Sequence, residues 1–107
     1  MKPNEAPILI QTKGETSGQK WVVDHPLMIG RDRGCDIVVN DRQVSRYHVR
    51  LQPTKRGIEI EDLGSKNGTM LKGHALSGKV VLMDGDSFLL AAVAEFQLVN
   101  SDATMPL

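Results

Sequence analysis

The chain has 107 residues, with thirteen basic and thirteen acidic side chains and one cysteine. That length fits one domain with one modest core, and 40% hydrophobic with 24% charged residues is an ordinary globular composition, which excludes general disorder. The zero net charge excludes a nucleic-acid binder built on a broad basic surface but allows a small, focused anion site.

Cys35 stands alone, so no intrachain disulfide can form, which fits a reducing, cytoplasmic setting. No run approaches the ~20 apolar residues of a membrane span. The early run Ile8-Leu9-Ile10 is too short for a signal-peptide core.

Read in chain order, residues 1–5 look loose. A strand over 8–12 is followed by Gly14 and Gly18, which mark a hairpin. Strands over 19–24 and 27–29 lead to the first loop cluster, Gly30-Arg31-Asp32-Arg33-Gly34. A short strand over 36–38 precedes the second cluster, Val44-Ser45-Arg46-Tyr47-His48. Alternation then places Tyr47, Val49 and Leu51 on one face, with His48, Arg50 and Gln52 on the other. Ile58 and Ile60 oppose Glu59 and Glu61. The third cluster runs from Asp62 through Gly64, Ser65, Lys66, Asn67 and Gly68 to Thr69. Strands over 69–71, 79–82 and 87–91 follow, with Asp84-Gly85-Asp86 as a polar turn. Phe96 and Leu98 alternate with Glu95 and Gln97, and residues 101–107 look loose again.

No segment keeps helical spacing for ~10 residues. Many short strands cut by Gly and Pro predict an all-β sandwich or barrel, one domain over 6–100. Its loops can carry function on a rigid scaffold.

The three clusters hold the chemistry. Arg31 and Arg46 supply guanidinium forks that match phosphate oxygens. Ser45 and Ser65 supply hydroxyls, and Lys66 a point charge. Asn67 supplies an amide that can donate to and accept from an extended peptide. Gly30, Gly64 and Gly68 permit tight turns and close approach. Together they suit a dianion attached to a polypeptide. Each also has a plain reading: a loop arginine is usually solvated, Asn67-Gly68 alone usually makes a tight hairpin turn, and a lone His48 is usually structural. Ser45 and His48 could form a nucleophile and base, but no Gly-x-Ser-x-Gly elbow accompanies them. His25, His48 and His74 are scattered, so no metal site and no cofactor are expected.

The order of these clusters resembles the forkhead-associated (FHA) domain: Gly30-Arg31, then Asp36-Ile37-Val38-Val39, then Ser45-Arg46-Tyr47-His48, then Glu61 to Thr69 with Asn67-Gly68. The motif likeness covers residues 27–76 and continues more weakly to 99. The resemblance implies a two-sheet β-sandwich of about eleven strands that binds phosphothreonine peptides through loops at one end and catalyses nothing. Carried over by position, Arg31 is the main phosphate ligand and Ser45 bonds the same phosphate. Arg46 is a further phosphate contact. Lys66 lies near the phosphate and the threonine methyl group. Asn67 holds the peptide backbone just beyond the phosphothreonine. Gly30, His48 and Gly68 support the loops. Gln43 stands where some members read the third residue after the phosphothreonine, and a neutral Gln demands no acidic residue there.

The partner implied is a phosphothreonine-containing protein, modified by a Ser/Thr protein kinase, with no membrane or nucleic acid involved. The chain is expected to be monomeric or part of a longer chain. Rival readings are a phosphate-independent module of the same fold, a Ser45/His48 hydrolase, and free-anion or nucleic-acid binding through Arg31, Arg33, Arg42 and Arg46. A self-recognition variant is also open, through phosphorylation of Thr16 in the hairpin or Thr104 in the tail.

Overall fold

A computed structural model describes residues 6–100. The loose ends expected at 1–5 and 101–107, and with them Thr104, lie outside the described residues. Eleven strands appear: β1 (Ile8–Lys13), β2 (Lys20–Val22), β3 (Leu27–Gly30), β4 (Ile37–Val38), β5 (Val49–Thr54), β6 (Gly57–Asp62), β7 (Thr69–Leu71), β8 (His74–Ala75), β9 (Lys79–Leu82), β10 (Ser87–Leu90) and β11 (Ala94–Val99). Among the described residues no helix is long and apolar enough to cross a membrane.

The strands form two sheets. One runs β2-β1-β11-β10-β7-β8 and the other β4-β3-β5-β6-β9. Every pairing is antiparallel except β3 with β4. The expected sandwich is therefore what forms, and period-two alternation is its cause. Leu9, Ile29, Leu51, Ile58, Ile60, Phe88, Leu90 and Phe96 point between the sheets and are buried. Phe88 stacks on Phe96 with centroids 5.5 Å apart, and Trp21 tilts against the same Phe96 at 6.0 Å.

Two local expectations change. β5 begins at Val49, so alternation does not extend back to Tyr47. Tyr47 is 50% exposed, whereas His48, expected outward, is fully buried beside the equally buried Val49. A residue before the first ladder pair is free of the strand's parity, and His48 turns inward to meet backbone partners. The Asn67-Gly68 pair is also no hairpin turn, because β6 and β7 belong to different sheets and the loop crosses between them.

The hairpin between β1 and β2 does form, with Ile8 opposite Val22 and Ile10 opposite Lys20. Its Thr16 is less open than expected. It is half-buried, and its hydroxyl donates to the carbonyl oxygen of the buried Gln11 side chain. Asp84-Gly85-Asp86 makes the expected polar turn: Gly85 takes a φ of +86°, and Asp86 accepts from the Met83 amide at 2.8 Å.

Candidate functional site

The three clusters meet at one end of the sandwich. The first two are joined by backbone. The Arg31 amide donates to the Ser45 carbonyl (3.0 Å), and the Asp32 amide donates to the Arg46 carbonyl (3.1 Å). This extends the contact between β3 and β5 past the ends of both strands. The approach is so close that a β-carbon on Gly30 would lie 2.1 Å from the Arg46 carbonyl oxygen. Only glycine fits there without moving backbone.

His48 ties in the third cluster. Its Nδ1 accepts from the Ser45 amide (3.1 Å), so Nε2 carries the proton and donates to the Gly68 carbonyl (2.9 Å). Its backbone joins in: the His48 amide donates to the Ile29 carbonyl, and the Leu63 amide donates to the His48 carbonyl, both at 2.9 Å. One buried side chain thus connects the loop over 39–48 to the loop over 63–68. Gly68 has a φ of +81°, which a side chain would strain. The Gly68 carbonyl also accepts from the Ala91 amide (3.0 Å).

On this frame the cations are left outward. Arg31 spends Nε on the Val44 carbonyl at 3.0 Å, which aims the guanidinium and leaves its terminal amino groups for a ligand. Arg46 and Lys66 are exposed. Among the described residues, none of the three is in an ion pair. Ser45 Oγ accepts from the Lys66 amide at 2.9 Å, which leaves the hydroxyl proton to be donated. Asn67 donates Nδ2 to the Gln43 carbonyl (2.7 Å) and, more weakly, to its side-chain oxygen (3.2 Å). Those acceptors fix the amide's orientation, with Oδ1 left over to accept.

Ser65 behaves differently from its expected role. Its hydroxyl donates to Asp62 Oδ2 (2.6 Å) and accepts from the Gly68 amide (3.0 Å), so its one proton is spent inside the loop. Asp62 is the residue the sequence reading passed over. It accepts from the amides of Gly64 (2.9 Å) and Ser65 (2.7 Å) and from the hydroxyls of Ser65 and Thr69, each at 2.6 Å. Burial pushes the Asp62 carboxyl up, but the Ser65 and Thr69 hydrogen bonds outweigh it and hold the group below its ordinary value. An Asp three residues before a Ser and followed by Gly was the available signal, since that spacing makes side-chain-to-backbone turns.

Two other side chains near the loops are structural. Cys35 is buried and donates its thiol to the Arg46 carbonyl (3.2 Å). Burial, then the charge of Asp32, pushes that thiol up, away from the reactive thiolate. Asp32 caps the Gly34 amide (2.8 Å), and its charge pushes the exposed Tyr47 phenol up.

Geometrically, this end is a rigid rim carrying two guanidinium groups, an ammonium, a free hydroxyl proton and an amide oxygen. It can hold an anion with several acceptor oxygens. It does not assemble a nucleophile and base, because both ring nitrogens of His48 are committed to backbone groups and neither reaches Ser45 Oγ as acceptor.

The sequence model of the FHA domain family matches residues 27–91. An oxoglutarate dehydrogenase inhibitor of Corynebacterium diphtheriae is 31% identical over 98 residues, covering 91% of this chain and 66% of that protein. The FHA domain of the CT664 protein of Chlamydia trachomatis superposes with a TM-score of 0.81 at 28% identity, covering 88% of this chain and 96% of that one. Mycobacterium tuberculosis EmbR, solved in complex with a low-affinity phosphopeptide, superposes with a TM-score of 0.82 at 28% identity, covering 95% of this chain and 26% of that one. The chain spans between 8% and 66% of the length of the curated relatives it matches.

Proposed function

The chain belongs to the FHA domain family, and from that premise we propose that it is a phosphothreonine-dependent protein-binding module in protein-kinase signalling, and not an enzyme. One observation carries the reading: Arg31, Arg46 and Lys66 gather around the Ser45 hydroxyl with no acidic partner to neutralise them. A phosphate brings about −1.5 to −2 charges and three acceptor oxygens at neutral pH. Arg31 takes two of those oxygens with its terminal amino groups, and Ser45 donates its hydroxyl proton. Arg46 and Lys66 add charge at the rim. Asn67 Oδ1 accepts an amide of the peptide beyond the phosphothreonine. Gly30, His48 and Gly68 hold the loops in place.

Ser65 moves from the ligand set to the frame, because its proton already serves Asp62. His48 does no chemistry, because its ring is used up in bracing. A cytoplasmic setting fits the single, buried, unreactive Cys35. The likeness to EmbR with its phosphopeptide supports this reading of the ligand class.

Charge-assisted hydrogen bonds contribute roughly 1.5–3 kcal/mol each. Removing the phosphate removes several together, so the module acts as a switch. Calorimetric titration with degenerate phosphothreonine, phosphoserine and unphosphorylated peptide libraries tests it, with the Arg31→Ala protein as control. Binding confined to phosphothreonine and lost in Arg31→Ala is expected. Equal binding of unphosphorylated peptides would replace this reading with a phosphate-independent module.

A further inference from the structure

The two outer faces of the sandwich differ in kind. On the β4-β3-β5-β6-β9 sheet, the face away from the core carries Arg50, Gln52, Glu59, Glu61 and Lys79, with Arg50 paired to Glu61 at 3.0 Å. This is the charged, solvated face that an outward sheet surface normally shows.

The β2-β1-β11-β10-β7-β8 sheet does the opposite. The cross-strand register sets its outward residues in rows. Val22, Ile8 and Val99 form one row across β2, β1 and β11. Ile10 sits in the next, between Lys20 and Gln97. Leu89 and Met70 form a third across β10 and β7, beside Glu95. Val22 is 50% exposed and Met70 39%, and the other four apolar residues are half-buried. Six apolar side chains thus stand at positions whose alternation calls for polar ones. Period two explains why they point outward, but nothing within the fold covers them. Contiguous exposed apolar area of this kind marks an interaction surface.

We propose that this face is the seat of a weak two-fold homodimer, a second copy of the chain lying sheet against sheet. Three observations favour a second copy. The formal net charge is zero, so two copies meet without mutual repulsion. Lys20 and Glu95 flank the apolar rows with opposite signs. A two-fold operator that sets Lys20 of one copy against Glu95 of the other does so twice, because an isologous interface repeats every contact. The size also fits. Five strands about 4.8 Å apart and three rows about 7 Å apart give roughly 500 Å² per copy, or about 1,000 Å² in total. That lies near the lower limit of specific interfaces, so the dimer is weak and exchanges freely. The pairing uses a face of the sandwich and leaves the phosphate-binding end of both copies open, so one dimer presents two ligand sites. The inference does not depend on what those sites bind.

Sedimentation equilibrium on the whole chain tests it, over concentrations from about 10 µM to about 1 mM, the range in which a weak complex populates. A reversible monomer–dimer equilibrium is expected. Ile10→Lys, at the centre of the rows, should weaken it at least about tenfold. Lys20→Glu and Glu95→Lys should each weaken it by about threefold, the scale of a rim ion pair, and the double variant should restore it. Circular dichroism and phosphopeptide titration confirm that each variant is folded and still binds. Should Ile10→Lys fail to fold, the charge-reversal set decides alone. A chain that stays monomeric throughout overturns the proposal, and so does an association that neither Ile10→Lys nor the charge reversals diminish.

Discussion

The core of the sandwich and its ligand-binding end are held by different forces. Between the sheets, Leu9, Leu51, Ile60, Phe88 and Phe96 are buried and contribute by area, without direction. At the binding end the loops hold one another through directional bonds: backbone to backbone between 31–32 and 45–46, through His48 to Gly68, and through Asp62 to four donors. The first kind of stabilisation tolerates exchange among apolar residues of similar volume. The second tolerates almost none, because each donor has one geometry. Fold and function should therefore be separable by substitution.

Val49→Asp should have the largest effect. Val49 is fully buried, and an unpaired carboxylate there costs several kcal/mol, most of the stability of a domain this size. The expected protein shows no cooperative thermal transition by circular dichroism, and a normal melt would break the comparison from the core side. Arg31→Ala should do the reverse. Phosphopeptide affinity should fall by about 2–5 kcal/mol by calorimetry, while thermal stability shifts by no more than about 0.5 kcal/mol.

Gly30→Ala sits between the two regions and sharpens the line. Its β-carbon would meet the Arg46 carbonyl oxygen, so the two loops must part. Overpacking of this kind costs about 1–3 kcal/mol. Both the melting temperature and the phosphopeptide affinity should drop together.

The smallest effect concerns acid. Asp62 is held below its ordinary carboxyl value when folded. The unfolded chain therefore binds the proton more readily, and the stability Asp62 lends is present above its unfolded value, near 3.8. It is lost as pH falls through the lower folded value. Asp62→Asn should flatten that acid limb in a series of melts from neutral pH downward, and an unchanged limb would place the acid sensitivity elsewhere.

Much of this was legible before any coordinates. Isolated apolar residues at period two, as at Ile58 and Ile60, identify buried strand faces because nothing competes with burial there. The Gly30-Arg31, Ser45 and Asn67 clusters could be placed in loops at one end. The inward turn of His48 could not, because it precedes the ladder and answers to the Ser45 amide and the Gly68 carbonyl, which are distant or irregular in sequence. The two-residue β8 at His74–Ala75 leaves no periodicity to read. Ser65 illustrates a further limit: composition shows that a hydroxyl is available, but not that Asp62 has already claimed its proton. The crossing of the Asn67-Gly68 loop from one sheet to the other depended on which strands pair, a tertiary matter on which a Gly-containing turn is silent.

The backbone bonds that carry the β3–β5 contact into the loops have a kinetic meaning. Because the rim is already ordered, an incoming peptide spends little entropy on shaping its receptor. Capture is then governed by diffusion and by the pull of Arg31, Arg46 and Lys66 on a dianion. Encounter should slow as salt screens those charges, while the lifetime of the bound state changes far less.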